Sequence, residues 1–102
     1  MNFATLERKL LQAGLYRLDS HTSNDMLLGR RIPFRQVRGI LRAQFLRLGA
    51  RKDEDLSLVY SRQNNLVSLI LLESGSVLEF EGPQVAPALW HLGIDLNGAD
   101  AD

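Results

Sequence analysis

Leu15 to Ile32, LYRLDSHTSNDMLLGRRI, is the stretch on which the fold turns. Leu15 to Asp19 suits a short strand and Met26 to Ile32 a strand returning beside it, which together make a hairpin. A second account starts from Thr22 followed by Asp25, the form of a capping box that would open a short helix over 23–29. That helix would favour a winged-helix arrangement, the rival fold, with Pro33 to Leu48 as recognition helix and the Leu56 to Glu73 hairpin as wing. The hairpin is the expectation carried forward.

Upstream, residues 2–13 place Phe3, Leu6, Leu10 and Leu11 at helical spacing, and Gly14 stands where a C-terminal stop belongs. Downstream, Pro33 suits a first helical position, where its missing N–H has no intrahelical partner. From it an amphipathic helix is predicted to Leu48, with Phe34, Val37, Leu41, Phe45 and Leu48 on one face and Gly49 as its stop. Gly39 falls in the middle of that helix. There it costs about 1 kcal/mol relative to Ala and permits close approach of a backbone or a ligand.

After RKDED come three strand-like runs, Leu56 to Arg62, Leu66 to Glu73 and Val77 to Glu81, separated by Asn64-Asn65 and by Ser74-Gly75-Ser76, both hairpin chemistry. The first alternates Leu56, Leu58 and Tyr60 with smaller residues. The middle run is apolar almost throughout, as expected of a strand covered on both faces. The third turns Leu78 and Phe80 inward and Glu79 and Glu81 outward. Gly82-Pro83 closes the meander, and a short helix from about Pro87 carries Leu89, Trp90 and Leu92 to a stop at Gly93. Trp90 is expected to pack on the sheet.

The pattern predicts an α+β fold: a three-stranded antiparallel meander, with the N-terminal hairpin as an optional extension, packed against two to three helices. One domain is expected over residues 1–96, followed by a frayed polar tail over 97–102. The chain has 102 residues, 45% apolar and 24% charged, the balance of a folded protein. It has no cysteine, which excludes disulfides and thiolate chemistry. Glu7, Arg8 and Lys9 interrupt any signal-peptide core, and LVSLILL at 66–72 is far shorter than the roughly 18–20 apolar residues of a membrane span. A soluble, cytoplasmic chain with no membrane partner is expected.

Net charge is zero, yet the charges are segregated. Eight of the twelve Lys and Arg residues lie between positions 30 and 52, where there is no acid, while six acids and no Lys or Arg follow Gln63. On a helix from Pro33, Arg35, Arg38 and Arg42 fall within about 60° of one another. Arg31 extends the line, and Arg30, Arg47, Arg51 and Lys52 enlarge the cationic block. Arg35 and Arg38 would sit near that helix's N-terminus, where the macrodipole disfavours positive charge. No acid within the segment is available for an i, i+4 pair. The block therefore faces an external anion or this chain's own Glu73, Glu79 and Glu81.

Catalysis finds little support. DSHTSND at 19–25 holds Ser, His, Thr and Asp, but so close in sequence these make a polar turn more readily than a triad, and no metal-ligand spacing occurs. Glu79 and Glu81 share one face of a strand as an acid/base pair would, and a solvated outer face accounts for them equally. Gly-rich phosphate loops are absent. The expectation is a small non-enzymatic binding module without cofactor or metal, its arginine helix contacting nucleic-acid phosphates in a regulatory role. The alternative is a protein-protein interaction module, an adaptor, inhibitor or homodimer, that docks the stripe on an acidic protein surface.

Overall fold

A computed structural model defines residues 3–19, 25–51, 53–64, 66–73 and 76–94. The order is α1 (Phe3–Gln12), β1 (Tyr16–Asp19), β2 (Asp25–Pro33), α2 (Gly39–Arg47), β3 (Asp55–Gln63), β4 (Leu66–Glu73), β5 (Ser76–Glu81) and α3 (Val85–His91), with one-turn 3-10 helices at Phe34–Gln36 and Gly82–Gln84. The strands form one antiparallel sheet in the order β1-β2-β3-β4-β5. The predicted three strands are thus five, and the N-terminal hairpin joins through β2 pairing with β3 from Asp25↔Gln63 to Pro33↔Asp55. The winged helix is overturned, since residues 25–29 are strand and not helix. The expected tail over 97–102 lies outside the described residues.

One face of the sheet builds the core. Leu28 stands opposite Tyr60, Tyr60 opposite Leu69, and Leu69 opposite Phe80; in the next row Leu58 meets Leu71 and Leu71 meets Leu78. Because the side-chain period is two, this register sends every second residue to the same side. There they meet Leu10 of α1, Leu41 and Phe45 of α2, and Val85, Ala88 and Leu89 of α3. Each fully buried leucine contributes about 1.5–3 kcal/mol. Each α-helix ends as its sequence predicts, at Gly14, Gly49 and Gly93 in left-handed conformation, and the residue after each glycine returns its N–H to a carbonyl five residues back. Those residues, Leu15, Ala50 and Ile94, are buried, so each stop also fastens the chain to the core.

The predicted helix from Pro33 to Leu48 does not form. Pro33 is the last residue of β2, a single 3-10 turn follows, and Arg38 is extended at φ −134°, ψ 166°. Only Gly39 to Arg47 is α-helical. Phe34, Val37, Leu41 and Phe45 are all buried as their spacing implies, while Leu48 is exposed. The break is tertiary in origin: the Arg38 N–H donates to the carbonyl of His91 at 2.8 Å instead of to a carbonyl of its own segment. Gly39, at φ +65°, makes the turn out of extended backbone that other residues resist.

α3 starts at Val85, earlier than Pro87. Pro87 falls in its first turn, where an absent N–H leaves nothing unpaired. Its buried face is Val85, Ala88, Leu89 and Leu92, which leaves Trp90 half exposed and corrects the expectation of a core tryptophan. No described helix is long and apolar enough to cross a membrane.

Candidate interaction surface

The fold scatters the arginines that one long helix would have aligned. Three of them bond to backbone carbonyls. Arg38 Nε donates to Trp90 O at 2.9 Å, with the guanidinium 3.8 Å from the Trp90 ring centre. With the Arg38 N–H on His91 O and Gln36 Nε2 on Leu92 O at 2.9 Å, three successive carbonyls at the end of α3 are satisfied. Arg30 Nη1 donates to Ala13 O at 2.7 Å, at the end of α1. Both arginines thus stand at the negative ends of helix dipoles, where a cation contributes about 0.3–1 kcal/mol. The apparent dipole mismatch is thereby resolved for Arg38: it serves the C-terminus of another helix. Arg42 Nη1 reaches Phe34 O and Val37 O at 3.3 and 3.5 Å and lies over the Phe34 ring.

The other cations of the block are separate. Arg31 points from the opposite face of the sheet, 3.7 Å from Asp55, and Arg51 stands 3.7 Å from Glu54. Arg35 and Arg47 are exposed, with no bond among the described residues. Lys52 lies outside the described residues. Among the described residues no ion pair joins Arg35, Arg38 or Arg42 to Glu73, Glu79 or Glu81.

Glu7, Lys9 and Glu73 are buried charged residues, and the sequence did not single out the cluster that Glu7 forms. Glu7 of α1 receives the Tyr60 hydroxyl at 2.7 Å and Arg62 Nε at 2.5 Å on Oε2, and Arg62 Nη2 at 3.2 Å on Oε1. Burial and then the Glu7 contact push the Tyr60 hydroxyl well above its ordinary value, and the Glu7 hydrogen bond raises the already high Arg62. The cluster lies under α1 with every buried polar side-chain atom partnered, an arrangement that fastens a helix to a sheet.

Opposite the core the sheet is open: among the described residues no helix packs on this side. One row reads Tyr16, Gly29, Val59, Ile70 and Glu79 from β1 to β5, with Leu18 lying over Gly29 so closely that a Cβ there would come within 2.7 Å. The next row holds Arg31, Ser57, Leu72 and Val77. Tyr16, Leu18, Leu66, Leu72 and Val77 are all exposed, with Leu27, Val59 and Ile70 half-buried between them. Here β4 departs from expectation. Leu69, Leu71 and Glu73 are buried, but Leu66 and Leu72 face solvent, so the strand is covered on one side only. The signal for this surface was present in LVSLILL, apolar at both parities.

A second apolar feature lies between α2 and α3, a groove of about 380 Å³ lined by Ile40, Leu41, Phe80, Pro83, Pro87 and His91. Exposed Ile40 stands at one side of it, and Trp90 follows on α3 with its ring 5.1 Å from that of His91. Glu79 and Glu81 are exposed side by side on β5, and the hydrogen bond between them, with their like charge, raises the Glu79 carboxyl above the usual range. Most of DSHTSND, positions 20–24, lies outside the described residues. Among the described residues no three His, Asp or Glu side chains group to hold a metal. No protein-family model, curated protein or solved structure matches this chain.

Proposed function

We propose that this chain is a non-enzymatic protein-interaction module that docks through the open face of its sheet. The observation that carries this is the coverage of one face by three helices while Leu18, Leu72 and Val77 stay exposed on the other. An exposed contiguous apolar patch rimmed by polar residues is characteristic of an interaction surface. Arg31 at one corner and Glu79 and Glu81 along β5 supply that rim. The phosphate-binding alternative drew on a continuous arginine stripe. In this fold Arg30, Arg38 and Arg42 bond to carbonyls and Arg31 and Arg51 to acids, leaving Arg35 and Arg47 to carry it among the described residues.

The test is a photoreactive benzoylphenylalanine placed at Ile70, compared with one at Gln12 on α1, in cells that naturally produce the chain. Adducts from position 70 and none from position 12 are expected. Equal labelling from both, or none from position 70, overturns the assignment. Anisotropy with mixed DNA and RNA at low salt separates the alternative: steeply salt-dependent binding would favour phosphate contact.

A further inference from the structure

We infer that the outer edge of β5 accepts an extended, basic segment of a partner protein as an added strand, with cations at alternate positions set opposite Glu79 and Glu81. The inference goes beyond the proposed docking face. It is carried by the backbone of one edge strand and by the charges on that strand, and it does not need the apolar rows.

β5 is the last strand of the sheet, so only one of its sides is paired among the described residues. Which of its main-chain groups point outward follows from the ladder. The Phe34 N–H donates to Glu54 O at 3.1 Å, just beyond the Pro33↔Asp55 pair. Bonded and non-bonded pairs alternate in an antiparallel ladder, and the register runs without a shift from β2 to β5. Leu56, Leu58 and Tyr60 therefore bond toward β2, Ser57, Val59 and Ser61 toward β4, and Leu69 and Leu71 toward β5. Their partners Phe80 and Leu78 turn N–H and C=O inward, which directs those of Val77 and Glu79 out of the sheet. Glu81 agrees, since its N–H turns to Gln84 Oε1 at 3.4 Å. The opposite edge is a poorer template: β1 has four residues and a register shift between Arg17 and Asp19. β5 has six residues in unbroken register and no proline.

Charge specifies the occupant. Val77, Glu79 and Glu81 raise their side chains on the open face, in the rows of Leu72, Ile70 and Ser68. Both glutamates are exposed, and no cation pairs with either among the described residues. A strand laid antiparallel on β5 exchanges main-chain bonds with Val77 and Glu79, and its residues opposite them turn to the same face. Opposite charges across neighbouring strands stabilise and like charges destabilise. The segment that fits thus carries Lys or Arg opposite Glu81 and Glu79, and an apolar residue opposite Val77. Between these it carries apolar residues to meet half-buried Leu78 and Phe80. A second β5 centred on Glu79 would instead oppose carboxylate to carboxylate, so the edge discriminates against a copy of itself. Strand addition of this kind takes its affinity from the main chain and its specificity from alternate side chains.

The probe is a fluorescein-labelled peptide, Ser-Lys-Val-Lys-Val-Val-Ser, titrated with the full chain and followed by anisotropy. Saturable binding below about 1 mM is expected, with the amides of Val77 and Glu79 slowed in hydrogen exchange. Methylating the backbone nitrogen of the second lysine removes the N–H that reaches Glu79 and should weaken binding at least about tenfold. Glu79→Lys/Glu81→Lys should weaken it by a similar factor and take Ser-Glu-Val-Glu-Val-Val-Ser instead, with an unchanged circular-dichroism spectrum because both side chains are exposed. No binding up to about 1 mM overturns the inference, as do equal binding of the methylated peptide, equal binding by the charge-reversed chain, or exchange protection that spares Val77 and Glu79. The adducts from position 70 report on the open face separately: a peptide that fails while position 70 still labels overturns the edge and keeps the face, and a peptide that binds without such labelling keeps the edge and overturns the face.

Discussion

Glu7→Gln should be the most damaging isosteric change in the chain. The substitution keeps the shape of the side chain and removes the charge that receives both Arg62 and Tyr60. Breaking a buried ion pair from one side costs about 3–5 kcal/mol, because the remaining charge stays buried. Arg62 retains 13% of its side-chain exposure and the Gln oxygen still accepts one bond, which reduces the cost here to about 2–3 kcal/mol. At about 2.1 cal/mol/K per residue the chain unfolds with an entropy near 0.2 kcal/mol/K, so Tm should fall by roughly 10–15 °C. Thermal melts followed by far-UV circular dichroism read this directly. Adding Arg62→Met removes the stranded charge and should recover about 1–2 kcal/mol. A loss smaller than about 0.5 kcal/mol, the range of an ordinary surface change, would refute the cluster's role in holding α1. Strict additivity of the two substitutions would refute the pairing.

Tyr60 makes alkaline pH informative. Its folded value lies above the ordinary 10.0, so above pH 10 the unfolded chain releases the proton that the folded chain keeps, and stability falls as pH rises. The slope contributed is up to about 1.4 kcal/mol per pH unit, measured by urea titration, and Tyr60→Phe should abolish that part. Gly39→Ala should destabilise by about 1–2 kcal/mol, since a left-handed residue gains a Cβ that would stand 2.9 Å from His91 Cδ2; urea unfolding would instead show a gain of about 1 kcal/mol were Gly39 a mid-helix residue. Arg38→Ala should cost about 1–2 kcal/mol and alter the emission of the chain's single tryptophan, and Arg38→Lys should not restore either, lacking the planar group that stacks on Trp90. Unchanged fluorescence in Arg38→Ala would count against the stacking.

Local rules determined much of this protein. Asn64 and Gly82 at left-handed positions, the glycine stops at 14, 49 and 93, and the alternation of Leu56, Leu58 and Tyr60 all act within a few residues, and each stands where spacing places it. The buried set on the Phe34-to-Phe45 stretch was legible too, because a 3-10 turn followed by extended backbone brings the same side chains inward that a helix would. What the chain order could not reveal was how that stretch is broken. The break depends on carbonyls of residues 90–92, more than fifty positions away, and an open helix C-terminus has no signature in the sequence that it recruits.

The cations follow the same division. The sequence by itself determined that positions 30–52 are acid-free; only the tertiary structure decided that Arg30, Arg38 and Arg42 face carbonyls, because a guanidinium satisfied by backbone dipoles leaves no acidic partner to read. Likewise LVSLILL announced two apolar faces on one strand. Three helices cover only one of them, since all three connect on the same side of the sheet and the core they fill is complete there. Among the described residues the second face carries no helix, and that follows from how the elements pack and not from the order of residues.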